Sequence, residues 1–274
     1  MSRLRPTTKE FLAASGDEIE AVEKEFFARV RLPNETFKTT CSRRLDDLNQ
    51  LCDPFLAAFG PRMLRVMDIG ASSGISTAEW AEHMATKGVQ ACVVGTDKLL
   101  EAELISLFPG VDLLVDDERN VLHADVWGRG WPPGTTSGKD ICAMPLRFLA
   151  KIAVALLHER SRKQRVPLVS RNVNGKIRME GDDVLSPNPQ EYIGAFDVVR
   201  AANVLNPGYF DDHVLRKIIA TLRERLKPGG LFIVCRTWVD TGRNHGTIFQ
   251  LREAGFVALR RLNQGSEIEH LVTG

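Results

Sequence analysis

The sequence predicts an α/β protein with a doubly wound, mostly parallel sheet, and three observations predict it. From Leu64 onward, strand-like apolar runs alternate with helical ones, the pattern of a parallel sheet covered on both faces. The first run, Arg65-Val-Met-Asp68-Ile, enters a glycine-bearing turn and then a helical stretch from Ile75. The length of 274 residues, 43% hydrophobic and 26% charged, suits one large elaborated domain of ordinary globular composition.

Taken in order, residues 1–61 read as an N-terminal helical extension and 62–274 as the main domain. Ser15-Gly-Asp-Glu18 has the spacing of a capping box ahead of Ile19, Val22, Phe26 and Phe27. A second helix follows, with Leu45, Leu48, Leu51, Cys52, Phe55, Leu56 and Phe59 on one face and Gly60-Pro61 as its stop. Strands are expected at 64–69, 91–95, near 176–181, at 195–204, 231–235, 256–262 and 268–272, seven in all, with a helix at 211–227. Between the second and third lies an insertion, about 101–170, which a minimal doubly wound unit does not need. It opens as a β-hairpin, 111–115 and 121–126 around the polar Asp116 to Asn120, and continues into an apolar helix at 146–157. That helix is read as buried in the domain or at a homodimer interface; the sharper readings are a lid over an apolar substrate and a peripheral membrane contact.

Composition also excludes. A formal charge of +1 gives no overall field for nucleic acid or an anionic membrane, and no basic stripe interleaved with aromatics marks a nucleic-acid surface. Cys41, Cys52, Cys92, Cys142 and Cys235 are scattered, odd in number and without a CxxC pair, so neither a zinc site nor a disulfide framework is expected. No His-His or His-carboxylate spacing points to a metal. Residues 1–11 lack the apolar core of a signal peptide, and no stretch approaches the ~20 apolar residues of a membrane span, so a cytoplasmic protein is expected.

The chemistry concentrates in Asp68-Ile-Gly70-Ala-Ser72-Ser-Gly74. Gly70 and Gly74 allow backbone conformations closed to side chains, and the N-terminus of the following helix presents amide donors to a ligand. A dinucleotide fingerprint asks for G-x-G-x-x-G, but Ser72 and Ile75 occupy its second and third glycine positions, so NAD fits poorly.

The motif resembles instead motif I of class I S-adenosylmethionine (SAM) dependent methyltransferases, an acid followed by G-x-G-x-G, with Ser72 at the middle glycine. The resemblance extends over most of 64–274. It implies that Asp68 lies near the methionyl amino group and that Gly70, Ser72 and Gly74 accommodate the methionine moiety. It further implies that Asp97, ending the second strand, accepts the ribose hydroxyls and that Asp182, beside Asp183, bonds the adenine amino group; Asp125 is the rival for that last role. Asn203, ending the fourth strand, falls beside the transferring methyl. The helix, Lys227-Pro-Gly-Gly230 turn and fifth strand are a frequent signature of the family, and strands at 256–262 and 268–272 resemble its terminal antiparallel hairpin.

Asn206-Pro-Gly-Tyr209 resembles the NPPY of DNA-base methyltransferases, but begins three residues after Asn203 and lacks the second proline. The run 196–234 partly resembles the glutamate methyltransferases of chemotaxis receptors, so a protein carboxyl group is an alternative acceptor. The preferred acceptor is an O or N atom of a small organic or lipid-like molecule. A base for its proton is sought among Tyr209, His213 and His245, with Asp240 also near. A non-catalytic SAM-binding regulator is the competing reading.

Overall fold

A computed structural model of the chain describes residues 5–33, 36–38, 42–133 and 163–274. In chain order its elements begin with α1 (Thr8–Ala13), α2 (Ile19–Phe27), α3 (Asp46–Ala57), β1 (Leu64–Ile69), α4 (Ile75–Thr86), β2 (Ala91–Asp97) and β3 (Glu101–Phe108). There follow β4 (Val111–Val115), β5 (Val121–Val126), β6 (Arg129–Trp131), β7 (Lys163–Pro167), β8 (Arg178–Gly181) and β9 (Phe196–Ala202). The last are α5 (Asp212–Arg225), β10 (Leu226–Thr237), β11 (Asn244–Arg252), β12 (Gly255–Leu262) and α6 (Glu269–Thr273). They form two compact units, Met1–Cys41 with Leu99–Asn172, and Ser42–Lys98 with Val173–Gly274.

The second unit holds the expected sheet. Its seven strands lie in the order β12-β11-β10-β9-β1-β2-β8. The β8-β2-β1-β9-β10 stretch is parallel throughout, and β11 and β12 add antiparallel pairs. Alternate side chains fill opposite faces. Val66 and Val198 pack with Leu48, Cys52 and Leu56 of α3 and Trp80 of α4. Met67 and Val199 pack with Leu215, Ile218 and Leu222 of α5. The sheet is therefore covered on both faces, and α3 belongs to its core. The boundary expected at 61/62 falls instead between Cys41 and Ser42.

Strand order reverses beside β1: the chain runs outward through β2 to β8, then returns to the other flank for β9 and β10. Open α/β sheets take ligands in the crevice beyond the carboxyl ends of strands at such a switch point.

The C-terminal hairpin is built one strand earlier than expected. Its arms are β11 and β12, while 268–272, expected as a strand, lies in and just before α6. The buried positions there, Ile268, Leu271 and Val272, stand at i, i+3 and i+4, which is helical spacing. In β11, Gly246 and His245 hide the strand pattern in the sequence, although His245 to Phe249 are all buried.

The first unit is more than a hairpin. Its antiparallel sheet has the order β6-β5-β4-β3-β7, with β4 and β5 as expected. Phe11 of α1 and Phe26 and Phe27 of α2 pack on Leu104, Leu114 and Leu122 from this sheet. α1 starts with a reciprocal box: Thr7 Oγ1 accepts from Glu10 N at 3.1 Å, and Glu10 Oε2 accepts from Thr7 N at 2.7 Å. The apolar run 146–157 lies outside the described residues. Among the described residues no helix is long and apolar enough to cross a membrane.

Candidate ligand site

Beyond β1 the backbone turns sharply. Gly70 (φ 64°), Ser72 (φ 58°) and Gly74 (φ 86°) are all left-handed. Ala71 N donates to Thr96 O at 2.9 Å, tying the turn to β2, and Gly74 N donates to Ala71 O at 2.8 Å before α4 begins. Ser72 is the only one of the three that bears the steric cost of a side chain there. Its amide donates to Asp97 Oδ2 at 2.8 Å. The acid at the end of β2 is thereby held over the turn at the switch point.

The glycines serve packing. A Cβ on Gly70 would lie 2.3 Å from Val204 Cγ2; one on Gly74 would lie 3.1 Å from Met179 Sδ and 3.3 Å from Val173 Cγ1. What the turn offers a ligand is backbone and the Asp97 carboxylate.

Asp68 is engaged inside the protein. It is 3% exposed. Its Oδ1 accepts from Arg200 Nε at 2.8 Å, and its Oδ2 from Arg200 Nη2 and Thr77 Oγ1, both at 2.6 Å. The pair bridges directly opposed positions of β1 and β9. Arg200, fully buried, also donates to Asn49 Oδ1 at 3.0 Å and lies 4.1 Å over the Trp80 ring. A buried cation needs such a full partner set, because desolvation is otherwise far costlier than any one contact returns.

Asp182 repeats the arrangement at the end of β8. Arg225 Nη1 and Nη2 donate to its two oxygens at 2.6 and 3.1 Å, and Arg225 Nε donates to Asn188 Oδ1 at 2.7 Å. Arg225 lies 5.1 Å over the Tyr192 ring, whose hydroxyl donates to Glu180. Burial, then that bond, pushes the Tyr192 pKa upward. Asp183 is more open: its Oδ1 accepts from Leu185 N at 3.0 Å and Lys98 Nζ stands 3.3 Å from its Oδ2. The rival Asp125 sits on β5 of the other unit, where Thr8 N donates to both its oxygens and His123 Nε2 is 3.2 Å away.

Asn203 (φ 63°) closes β9. Its Oδ1 accepts from Thr237 N at 2.7 Å and its Nδ2 donates to Thr237 Oγ1 at 3.3 Å, fastening it to the end of β10. The chain of bonds continues from Thr237 Oγ1 to Asn244 Oδ1 and from Asn244 Nδ2 to Asp47 Oδ1, each 2.7 Å. Sequence reasoning missed Thr237 and Asn244; the only signal was polar residues ending two apolar strands.

The three candidate bases sit on separate elements. Tyr209 is 48% exposed and follows an Asn206 turn in which Gly208 N donates to Asn206 Oδ1 at 2.8 Å. His213 is exposed in the first turn of α5. His245 is buried within β11, stacked on Trp238 at 4.2 Å, and its Nδ1 accepts from Gln264 N at 3.3 Å. Beside it, Arg236, Trp238, Val239, Asp240 and Glu267 line a surface cavity of about 270 Å³ at the end of β10. Burial pushes the Cys52 and Cys235 thiols up to about 12, so neither supplies a thiolate at neutral pH. Among the described residues no group of three or more His, Cys, Asp or Glu is placed to hold a metal.

No protein-family profile and no curated protein matches the chain. Solved structures do match. The CMeT domain of the citrinin polyketide synthase is 12% identical, covering 83% of this chain and 41% of that one, at a TM-score of 0.36. CalS10 from Micromonospora echinaspora, an amino pentose methyltransferase solved with SAM bound, is 15% identical over 76% of this chain and 64% of its own, at 0.35. A Rhodobacter sphaeroides protein described as a Zn-dependent alcohol dehydrogenase is 14% identical over 80% of this chain and 53% of its own, at 0.34. The chain spans less than two thirds of the length of each. At these TM-scores the likenesses, which include both methyltransferases and a dehydrogenase, carry no argument about function.

Proposed function

We propose that the chain transfers a methyl group from SAM to an O or N atom of a small organic acceptor. The observation that carries this reading is the Asp97 carboxylate at the end of β2, 2.8 Å from the amide of left-handed Ser72, at the switch point between β1 and β9. A carboxylate fixed there can accept a pair of ribose hydroxyls, and the missing second and third fingerprint glycines count against a dinucleotide.

SAM supplies the electrophile, its sulfonium methyl. The chain's part is to bind, orient and exclude water. Asp97 and the turn 70–74 hold the ribose and methionine ends. Asp183, which is more exposed than Arg225-bound Asp182, takes the adenine side. Asp68 serves through Arg200, fixing the β1 and β9 ends against each other. Asn203, fastened to Thr237, borders the acceptor, and the cavity at Trp238 and Asp240 gives it a half-apolar wall. Tyr209 and His213 are the groups offered to an acceptor proton. His245 accepts at Nδ1 from the backbone, so in the neutral ring its proton is on Nε2, which suits a donor better than a base.

Calorimetric titration with SAM and S-adenosylhomocysteine tests the reading. Asp97→Ala is expected to weaken binding by roughly ten- to a hundredfold, as loss of a charge-assisted hydrogen bond does. A folded parent that binds NAD and neither SAM nor S-adenosylhomocysteine overturns the proposal. Formation of S-adenosylhomocysteine with an acceptor pool separates an enzyme from a SAM-binding regulator.

A further inference from the structure

The antiparallel sheet of the first unit ends in an exposed aromatic tip. Two turns meet there: Phe108-Pro109-Gly110 between β3 and β4, and Trp127-Gly128 between β5 and β6, aligned because Val111 pairs with Val126. Trp127 (φ 47°) and Gly128 (φ 75°) form a two-residue turn with both residues left-handed, a type I′ geometry that favours Asn or Asp before Gly. A tryptophan is strained at that position, yet it is held there. Its backbone N–H donates to Gly110 O at 2.8 Å, and its ring edge lies 3.0 Å from where a Gly110 Cβ would stand. The side chain points outward: Trp127 is 82% exposed, Phe108 59% and Trp131 41%.

Exposed cations flank the tip. The Arg5 guanidinium lies 4.1 Å over the Trp131 ring, and Arg129, the first residue of β6, is exposed. The two acids paired across β4 and β5 at this end are buried and bonded, Asp112 by Lys9 at 2.6 Å and by Ser106, and Asp125 by the Thr8 amide. The β4–β5 turn at the opposite end carries Asp116, Asp117 and Glu118 against one cation, Arg119. The sheet is thus polarised, aromatic and basic at one end and acidic at the other.

Phe and Trp side chains offer ~150–250 Å² each, so Phe108 and Trp127 together expose roughly 300 Å². A stable contact with a second copy needs about 800 Å² per partner. Shallow insertion needs far less, and Trp beside Arg is suited to the headgroup level of a bilayer. We propose that this tip seats the chain on an anionic lipid surface, with Trp127 and Phe108 entering the headgroup region and Arg5 and Arg129 meeting the lipid charge. The inference is independent of the cofactor reading.

Flotation of the full chain with phosphatidylcholine vesicles, with and without phosphatidylserine, tests it. The parent is expected to float with the serine-lipid vesicles, with a blue shift of tryptophan emission, and less with phosphatidylcholine alone. Trp127→Asn with Phe108→Ser creates a favoured Asn-Gly turn and is expected to lower the partition coefficient at least tenfold at unchanged thermal stability or above. A parent that stays off both vesicle types, or a folded double variant that floats as the parent does, overturns the proposal. A parent that stays off vesicles but forms a dimer abolished by the same variant assigns the tip to a protein contact and overturns it equally.

Discussion

Both sheets place residues in the left-handed region, but for different ends. In the parallel unit Gly70, Ser72, Gly74 and Asn203 cluster where β1 and β9 finish, bending the chain around a crevice. In the antiparallel unit Gly110, Arg119, Trp127 and Gly128 lie in hairpin turns, where the same φ merely reverses the chain. The surroundings show the distinction. The Gly70 position is closed by Val204, whereas a Cβ built on Gly128 would meet nothing within 4 Å and one on Gly110 would meet only the edge of the exposed Trp127 ring. A left-handed residue therefore marks a site only when the neighbouring packing also demands it.

Buried charge is handled differently as well. The parallel unit ties its elements together with buried arginine–aspartate pairs, Arg200 with Asp68 across β1 and β9, and Arg225 of α5 with Asp182 beyond β8. In the antiparallel unit the cations paired with buried acids stay partly exposed, Lys9 with Asp112 and Arg171 with Glu23, and buried Asp125 is met by the backbone N–H of Thr8 at the start of α1. Breaking one partner of the first kind is the sharpest test of this contrast. Arg200→Met leaves the Asp68 carboxylate buried with Thr77 alone and is expected to cost roughly 3–5 kcal/mol in urea unfolding. Adding Asp68→Leu should return most of that, since an apolar pair of similar volume is often near neutral.

Gly70→Ala comes next. The left-handed φ and the contact with Val204 are expected to cost roughly 2–4 kcal/mol together, and Gly128→Ala only about 1 kcal/mol, the conformational part. Val204→Ala in the Gly70→Ala background should recover a portion by opening the contact. Equal losses at the two glycines would remove the distinction between the turns.

A third test uses pH. Burial tends to raise the pKa of Asp197, but the Arg62 guanidinium, the Arg65 amide and the Lys227 ammonium outweigh it and hold the carboxyl below the usual range. A depressed pKa in the folded state means stability that is present above the unfolded value near 4 and lost as pH falls through the folded one. Unfolding free energy should therefore drop on acidification below about pH 4, and Asp197→Asn should flatten that part of the curve while lowering its neutral plateau.

The parallel core was legible because strands buried on both faces read as unbroken apolar runs: 64–69 was expected to the residue, and 111–115 and 121–126 in the hairpin equally so. The antiparallel additions were less so. β7, Lys-Gln-Arg-Val-Pro, has one buried side chain, and β6 has three residues, so neither carries a period. In the site, the turn was legible from Gly70 and Gly74, and Asp97 was singled out by the family resemblance at the end of the second strand. The engagement of Asp68 and Asp182 was not legible, because their arginines lie 132 and 43 residues away in sequence and only the fold brings them together.

The smallest effect separates geometry from exposure at the aromatic tip. Trp127→Asn by itself replaces a residue strained at the first position of a type I′ turn by one that favours it, while removing a side chain that is 82% exposed and so contributes little burial. The substitution is expected to raise stability by about 0.5–1 kcal/mol, the range seen when a turn residue is matched to its φ. A loss of stability would mean that the contact of the indole edge with Gly110 outweighs the backbone strain, and that the tryptophan is retained for folding. A gain would leave an outward aromatic that the fold itself does not need, consistent with selection for something it touches.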